Sequence, residues 1–328
     1  MKKTLTLLAL LCGAATWTSA AVEEAVDSRF KTVAPDSTMG DWQGTPGYVA
    51  QVVPTEPGQY EAHIFHAFDE VDAKPVAILK GAPTALSGDG WSGAIADGHF
   101  KAGKDGDHFD LQHITRKSPT DGAKPPAGAI VLYDGKNLDA WAKKQGKDWL
   151  KEDGPAKWKI LADGSLEVVP ASDCLISHHW FGDCRVHVEF RTLGAPTNSG
   201  VYLQTRYELN INETYGKLEG GPNAGFDNCT DDARPRIRAC YPPLAWQTFD
   251  IEFHAPRFDA SSKKIAPARA TALFNGVKIY DQQELTRPKL SAGRLGEAPT
   301  GPIMLQEHGM PVQFRNIWLV EAVGGAGR

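Results

Sequence analysis

NSGVYLQTRYELNINETYG, residues 198–216, decides the fold. Val201, Leu203, Tyr207, Leu209 and Ile211 share one parity, with Thr205 as a small polar interruption. Tyr202, Gln204, Arg206, Glu208, Asn210 and Asn212 share the other. Strict period-two alternation predicts a β-strand with one buried face. The second face is unlike the usual solvated run of Lys, Glu, Thr and Ser. It carries flat or forked groups that hydrogen-bond in pairs.

The same pattern spreads outward. IVLYDG, WKILADGSLEVVP, CRVHVEFRT, WQTFDIEFHAP, ARATALFNGVKIYD, PIMLQEHG and VQFRNIWLVEAV all have strand length and strand composition. Asn275-Gly276 supplies the dipeptide that a two-residue hairpin turn prefers. Upstream, YVAQVV, YEAHIFHAF, PVAILKG, GAIADGHFKAG and HFDLQHI are short apolar runs cut by Gly, Pro and Asp. Only LDAWAKKQGKDWLKE offers a short helical pattern. The composition breaks once, at the Pro- and Gly-rich KSPTDGAKPPAGA, residues 117–129. The expected organisation is therefore a leader at 1–21, a small β-rich unit at 22–118, a linker at 119–127 and a larger all-β sandwich or jelly roll at 128–328.

Several strands besides the first present a polar face. Arg185, His187, Glu189 and Arg191 alternate with Val186, Val188 and Phe190. Trp246, Thr248, Asp250, Glu252 and His254 alternate with Phe249, Ile251 and Phe253, and Met304, Gln306 and His308 share a third face. A sandwich has two outer faces, so polar alternation also suits plain solvent exposure. The residue types add a second reading. Amides and carboxylates bind pairs of hydroxyls and aromatic rings pack on the apolar face of a sugar, so a saccharide is the expected ligand.

Charge and cysteines narrow the classes. The 328-residue chain carries a net charge of −5, and losing Lys2 and Lys3 with the leader takes it to −7, without a basic run. Nucleic-acid binding is not expected. MKK, the apolar TLTLLALLCGAA and the small TSAA read as a bacterial secretory leader, too short for a membrane span, so a periplasmic or secreted location is expected. Leu11 before Cys12 is bulkier than lipoprotein processing prefers. Beyond the leader stand Cys174, Cys184, Cys229 and Cys240, which in an exported protein are expected as disulfides. Of three connectivities, Cys174–Cys184 and Cys229–Cys240 is the expected one.

From about residue 127, YDGKNLDAW, FGDCRVHVEFRT, NSGVYLQTRYELNI, NETYG, WQTFDIEFHAPRFD, FNGV and LQEHGMPVQFRNIWL follow one another in an order that resembles the bacterial 3-keto-disaccharide hydrolase domain. The resemblance implies a concanavalin-A-like jelly roll preceded by a small all-β domain. It also implies action on glycosides already oxidised at C3, where the ketone acidifies the C2 proton and the C1 substituent leaves by elimination. Hydration of the resulting 3-keto-glucal is a second implied step. Some relatives would use a divalent metal, and nothing in this sequence decides for or against one.

That chemistry asks for a base near C2, a group to stabilise the enolate oxygen and donors for the remaining hydroxyls. Glu208 is the first candidate for the catalytic carboxylate or for a metal ligand, with Arg206 and Asn210 on its face. His308, before Gly309 at a strand end, is the second candidate. Tyr202, Gln204, Arg206, Asn210, Asp250 and Gln306 are the candidate substrate binders. Asp250 shares its parity with Glu252 and His254, so it follows them if theirs is the solvent side.

Two other classes remain open. A laminarinase-type glycosidase would use an E-x-D-x-(x)-E strand, but TFDIE has Thr248 at the nucleophile position. A non-catalytic carbohydrate-binding module would need the polar row without Glu208 or His308 as chemistry. Residues 22–118 show no chemical constellation, and Trp42 and Trp91 there read as core. Neither GxSxG, a P-loop nor HExxH occurs.

Overall fold

The computed structural model describes residues 36–322 except 46, 219–223, 227 and 231–236. The expected leader lies outside the described residues. The described residues are all-β apart from one 3-10 turn, Leu290–Leu295.

Eight antiparallel strands, β1 (Gly40–Thr45) through β8 (Asp107–Ile114), form a closed barrel. Its local signal is Asp-Gly. Asp89-Gly90, Asp97-Gly98 and Asp105-Gly106 all take positive φ. Each lies between residues that pair directly: Gly88 with Trp91, Ala96 with His99, Lys104 with Asp107. Such two-residue turns match the twist of the strands they join. Trp42, Trp91, Phe100, Phe109 and Leu111 fill the interior.

The rest is a jelly-roll sandwich of two sheets. The first runs β11 (Asp148–Pro155), β10 (Trp141–Gln145), β14 (Leu175–Phe181), β23 (Gly301–Leu305), β16 (Asn198–Leu203), β17 (Tyr207–Asn212). The second runs β12 (Lys159–Ile160), β13 (Leu166–Glu167), β24 (Val312–Glu321), β15 (Cys184–Thr192), β18 (Gln247–His254), β21 (Ala268–Phe274), β22 (Val277–Leu285), with β9 (Ile130–Tyr133) also on β24. A small ribbon joins β19 (Arg257–Phe258) to β20 (Lys264–Ala266). One apolar cluster, including Phe190, Val201, Leu209, Phe249, Phe253 and Phe314, fills the space between the sheets. Asn275-Gly276 makes the expected turn, with Phe274 paired to Val277 and both central φ positive.

Four expectations are corrected. Residues 198–216 are two strands, because Gln204 and Thr205 take φ of 51° and 59° and Arg206 N–H closes a turn on Leu203. The helical reading of LDAWAKKQGKDWLKE gives way to the β10–β11 hairpin, turning at Gly146 with φ of 36°. Pairing between neighbouring strands outweighs a helical pattern barely four turns long.

The expected linker is not a free tether. Ser118 and Thr120 bond Thr248, Thr120 bonds Asp250, and Gly122 N–H donates to Glu189, so this strap lies along the outer face of the second sheet. Finally, all four cysteines are free thiols. Cys174 precedes β14 and Cys184 opens β15 in the other sheet, and the seven extended residues of β14, about 3.3 Å each, lie between them. Cys229 backs onto Tyr207 and Arg287, whereas Cys240 lies beside Glu213 and Tyr215. Their loop extends partly outside the described residues.

Candidate active site on the outer face of the first sheet

The β16–β17 hairpin sorts the opening stretch into two faces. Its connection, Gln204–Arg206, is three residues long, with Leu203 paired to Tyr207 and Tyr202 to Glu208. An odd connection keeps parity across the turn, so Val201, Leu203, Tyr207, Leu209 and Ile211 all enter the core. Tyr202, Glu208 and Asn210 point the other way. Tyr202 there packs with Ala142, Ile176 and Met304, with Trp149 against them.

Glu208 is 2% exposed. Its carboxylate lies over Gly200, where a Cβ would come within 2.7 Å of Oε1. Lys289 forms an ion pair with Oε2. The Tyr202 hydroxyl is hydrogen-bonded to both Glu208 and Ser291, and burial, then the Glu208 charge, pushes it well above the usual phenol range. Gln306 Nε2 donates to that hydroxyl at 3.2 Å. Gln306 is itself fixed by its N–H on Gly200 and by Ser199, which donates to its carbonyl. Its Oε1 is buried without a hydrogen-bond partner. Trp149 meets Tyr202 edge-on at 5.8 Å, and the buried Lys144 ammonium stands 5.5 Å from the Trp149 ring. His308 is exposed on the turn two residues beyond Gln306.

The remaining expected site residues divide. Asn210 holds Gly225 through its side-chain oxygen and its backbone, shaping the edge of the site. Gln204 is buried in the turn, donating to Phe181 and Pro299 carbonyls, and so points away from the row it was read in. Arg206 does not flank Glu208. It donates to the carbonyls of Gly296 and Gln204, and burial lowers its pKa. The cation beside Glu208 is Lys289, from a segment without periodicity that sequence reasoning passed over. Ser291 lies in that same segment, whereas Lys144 and Trp149 fall in LDAWAKKQGKDWLKE, whose helical reading did not bring them together as the β10–β11 hairpin does. Each reaches Tyr202 or its neighbours only through tertiary folding.

Asp250 belongs elsewhere. It lies on the outer face of the second sheet, with the core between it and Glu208. There His187 is held by Asp250 at 2.7 Å and Glu189 at 3.3 Å, and stacks on Trp318 at 4.9 Å. Burial alone would lower the His187 pKa, but the two carboxylates raise it to about 9. Glu189 in turn meets Arg315, Asn316 and Gly122, and despite burial its pKa falls to about 2. The strap closes over this network, which is a satisfied polar fastening.

A divalent ion does not fit the donors around Glu208. Lys289 already neutralises the carboxylate and would repel a second cation at that distance. Among the described residues there is no group of three His, Cys, Asp or Glu able to hold a metal.

Residues 128–320 match the family model described as the 3-keto-alpha-glucoside-1,2-lyase-like domain. The chain belongs to that family. The lyase-like domain spans both sheets of the sandwich, while the barrel lies outside the match. A candidate glycosyl hydrolase from Parabacteroides distasonis ATCC 8503, solved at 2.13 Å, is similar to this lyase-like domain at 28% identity and a TM-score of 0.50. The match covers 60% of this chain and 85% of that one. A second candidate glycosyl hydrolase from the same organism is 19% identical, with a TM-score of 0.42, covering 60% of this chain and 94% of its own. No protein among the curated sequences matches the chain. The family and the first of these structures make it a carbohydrate-active, glycoside-acting enzyme.

Proposed function

We propose that this is an exported enzyme that cleaves 3-keto-glycosides by removing the C2 proton and expelling the C1 substituent. The observation that carries the reading is the buried Glu208–Lys289 pair beside Tyr202 and the unpartnered Gln306 oxygen. Lys289 pairs with the Glu208 carboxylate, a weak base suited to a proton the C3 ketone has already acidified. Glu208 takes that proton, and the C2–H electron pair forms the enolate with its charge on the C3 oxygen. The negative charge has then moved a few ångström, from carboxylate to enolate, still beside one ammonium. Collapse of the enolate restores the ketone, forms the C1=C2 double bond and expels the C1 oxygen, which needs a proton. His308, at the exposed rim, is assigned that donation. Hydration of the 3-keto-glucal would reverse the proton steps with water in place of the alcohol.

An ordinary hydrolytic glycosidase has less support. It needs two carboxylates about 5–9.5 Å apart across one bond. Asp250 and Glu252 lie on the far sheet, and Asp250 is engaged by His187 and Thr120. Export rests on the basic, apolar and small-residue order of residues 1–21.

The test is NMR of the mature protein with a 3-keto-glucoside and with its parent glucoside in deuterated water. Product release and C2 deuterium incorporation with the ketone alone, reduced about a thousandfold or more in Glu208→Gln, are expected. Cleavage of the parent glucoside would sink the reading. Binding without turnover would leave a carbohydrate-binding module.

A further inference from the structure

The outer face of a sheet should meet water, and around Glu208 this one does not. Ala142, Ile176, Met304, Tyr202 and Glu208 pair in one unbroken row across five strands, from β10 to β17. None of the five is more than 2% exposed. The cover comes from the β10–β11 hairpin and the 3-10 turn. Trp149 of β11 packs on the row and meets Tyr202 at 5.8 Å. From the other side the turn sets Ser291 on the Tyr202 hydroxyl, with Lys289 just before it on Glu208, and comes up against β11.

The hairpin lies across the face without being built into it. β11 is an edge strand four positions from β16, so about 19 Å would separate the two on a flat sheet. It reaches Tyr202 because its register with β10 slips twice. β11 runs from Pro155 to Glu152 against Ala142 to Lys144, then from Glu152 to Asp148 against the single step from Lys144 to Gln145. Bulges of this kind bend a strand and leave residues outside the ladder. Trp149 lies in the larger bulge, and Gly154, at φ of 88°, lies in the smaller. β10 stays on β14 as far as Lys144, whose N–H donates to the Cys174 carbonyl. Beyond that point the Lys144 ammonium holds the Gly146 carbonyl, and Glu152 holds His178 of β14 at 2.7 Å. Both side chains of the second pair are nearly half exposed, which makes it a weak tie.

We propose that residues 145–152, the tip of the β10–β11 hairpin, form a lid over the Glu208 row that pivots at the two bulges and lifts to admit the glycoside. Lifting takes Trp149 off Tyr202 and opens the floor from Ala142 to Glu208. Closing keeps water out while the C2 proton moves. The proposal rests on Glu208 as the site of 3-keto-glycoside cleavage, and its first readout needs no ligand.

Met304 is one of only four methionines, so methionine-methyl NMR of the full chain reads the covered floor directly, with its line assigned through Met304→Leu. A neutral paramagnetic cosolute reaches that methyl only when the lid is up. Glu152→Ala removes the exposed tie, and His178→Ala removes it from the other side. In both variants the cosolute is expected to broaden Met304 about two- to fivefold more than in the native protein. Met310, buried outside the row, should be unchanged. Equal protection of Met304 in all three proteins, or a matching rise at Met310, overturns the lid. A 3-keto-glucoside added to Glu208→Gln should then shift the Met304 line. If the two tie variants act as expected and that sugar leaves Met304 unmoved, the lid stands and the proposed chemistry fails.

Discussion

At the scale of single residues, Gly200 shows how closely the site is built. Its missing side chain is the space in which the Glu208 carboxylate lies. The obstructing atom would be the end of a side chain and not backbone, so Gly200→Ala is expected to fold and to displace the carboxylate. Turnover of the 3-keto-glucoside should fall about tenfold or more, with a melting temperature within a few degrees of native. A collapse of stability with activity per folded molecule intact would contradict this. The cysteines make a second residue-scale prediction. Burial pushes the Cys174 thiol up to about 11, and burial raises Cys184 and Cys240 as well. All four thiols should react with a thiol reagent only after unfolding, and melting should be the same with and without reductant. A reductant-dependent melt would mean that a disulfide forms.

Among elements, the strap and the second sheet behave as one unit held by His187. Raised from 6.5 to about 9, His187 contributes its stabilisation fully below about pH 6.5 and loses it as pH rises through 9. Glu189, lowered from 4.5 to about 2, contributes fully above about pH 4.5 and loses it as pH falls toward 2. The fastening is therefore at full strength between about pH 4.5 and 6.5. Melting temperature should decline between pH 6.5 and 9, and His187→Gln should remove much of that decline. An equally steep decline in the variant would place the titrating group elsewhere. The faces read from period-two alternation on β15, β18 and β17 match the structure. Which face carries chemistry did not follow, because Asp250 and Glu208 have the same local pattern on opposite sides of one core.

For the whole molecule, the joint between barrel and sandwich centres on Arg116. It donates to Asp41 at 2.8 Å and to Asp69 at 3.0 Å, between the rings of Phe68 and Tyr241. Asp41 is 1% exposed, and burial raises its pKa against the pull of Arg116. Arg116→Ala should cost about 3–5 kcal/mol, because it leaves a buried carboxylate facing only Tyr215 and nearby polar groups. Chemical denaturation would check this, and a loss under about 1 kcal/mol would show that the joint does not depend on the charge.

Alternation, turn dipeptides and the order of motifs by themselves determined an all-β chain, its jelly roll, and Glu208 on the face opposite the core. These are local properties: side chains two residues apart share a face whatever surrounds the strand, and a three-residue connection preserved that parity through a turn the sequence did not announce. The tertiary structure alone decided that the partner of Glu208 is Lys289 and not Arg206, and that Asp250 belongs to a fastening under the strap. It likewise decided that the four cysteines stay apart. Each of these depends on which distant segments the folded sheets bring together, and no periodicity along the chain encodes that distance.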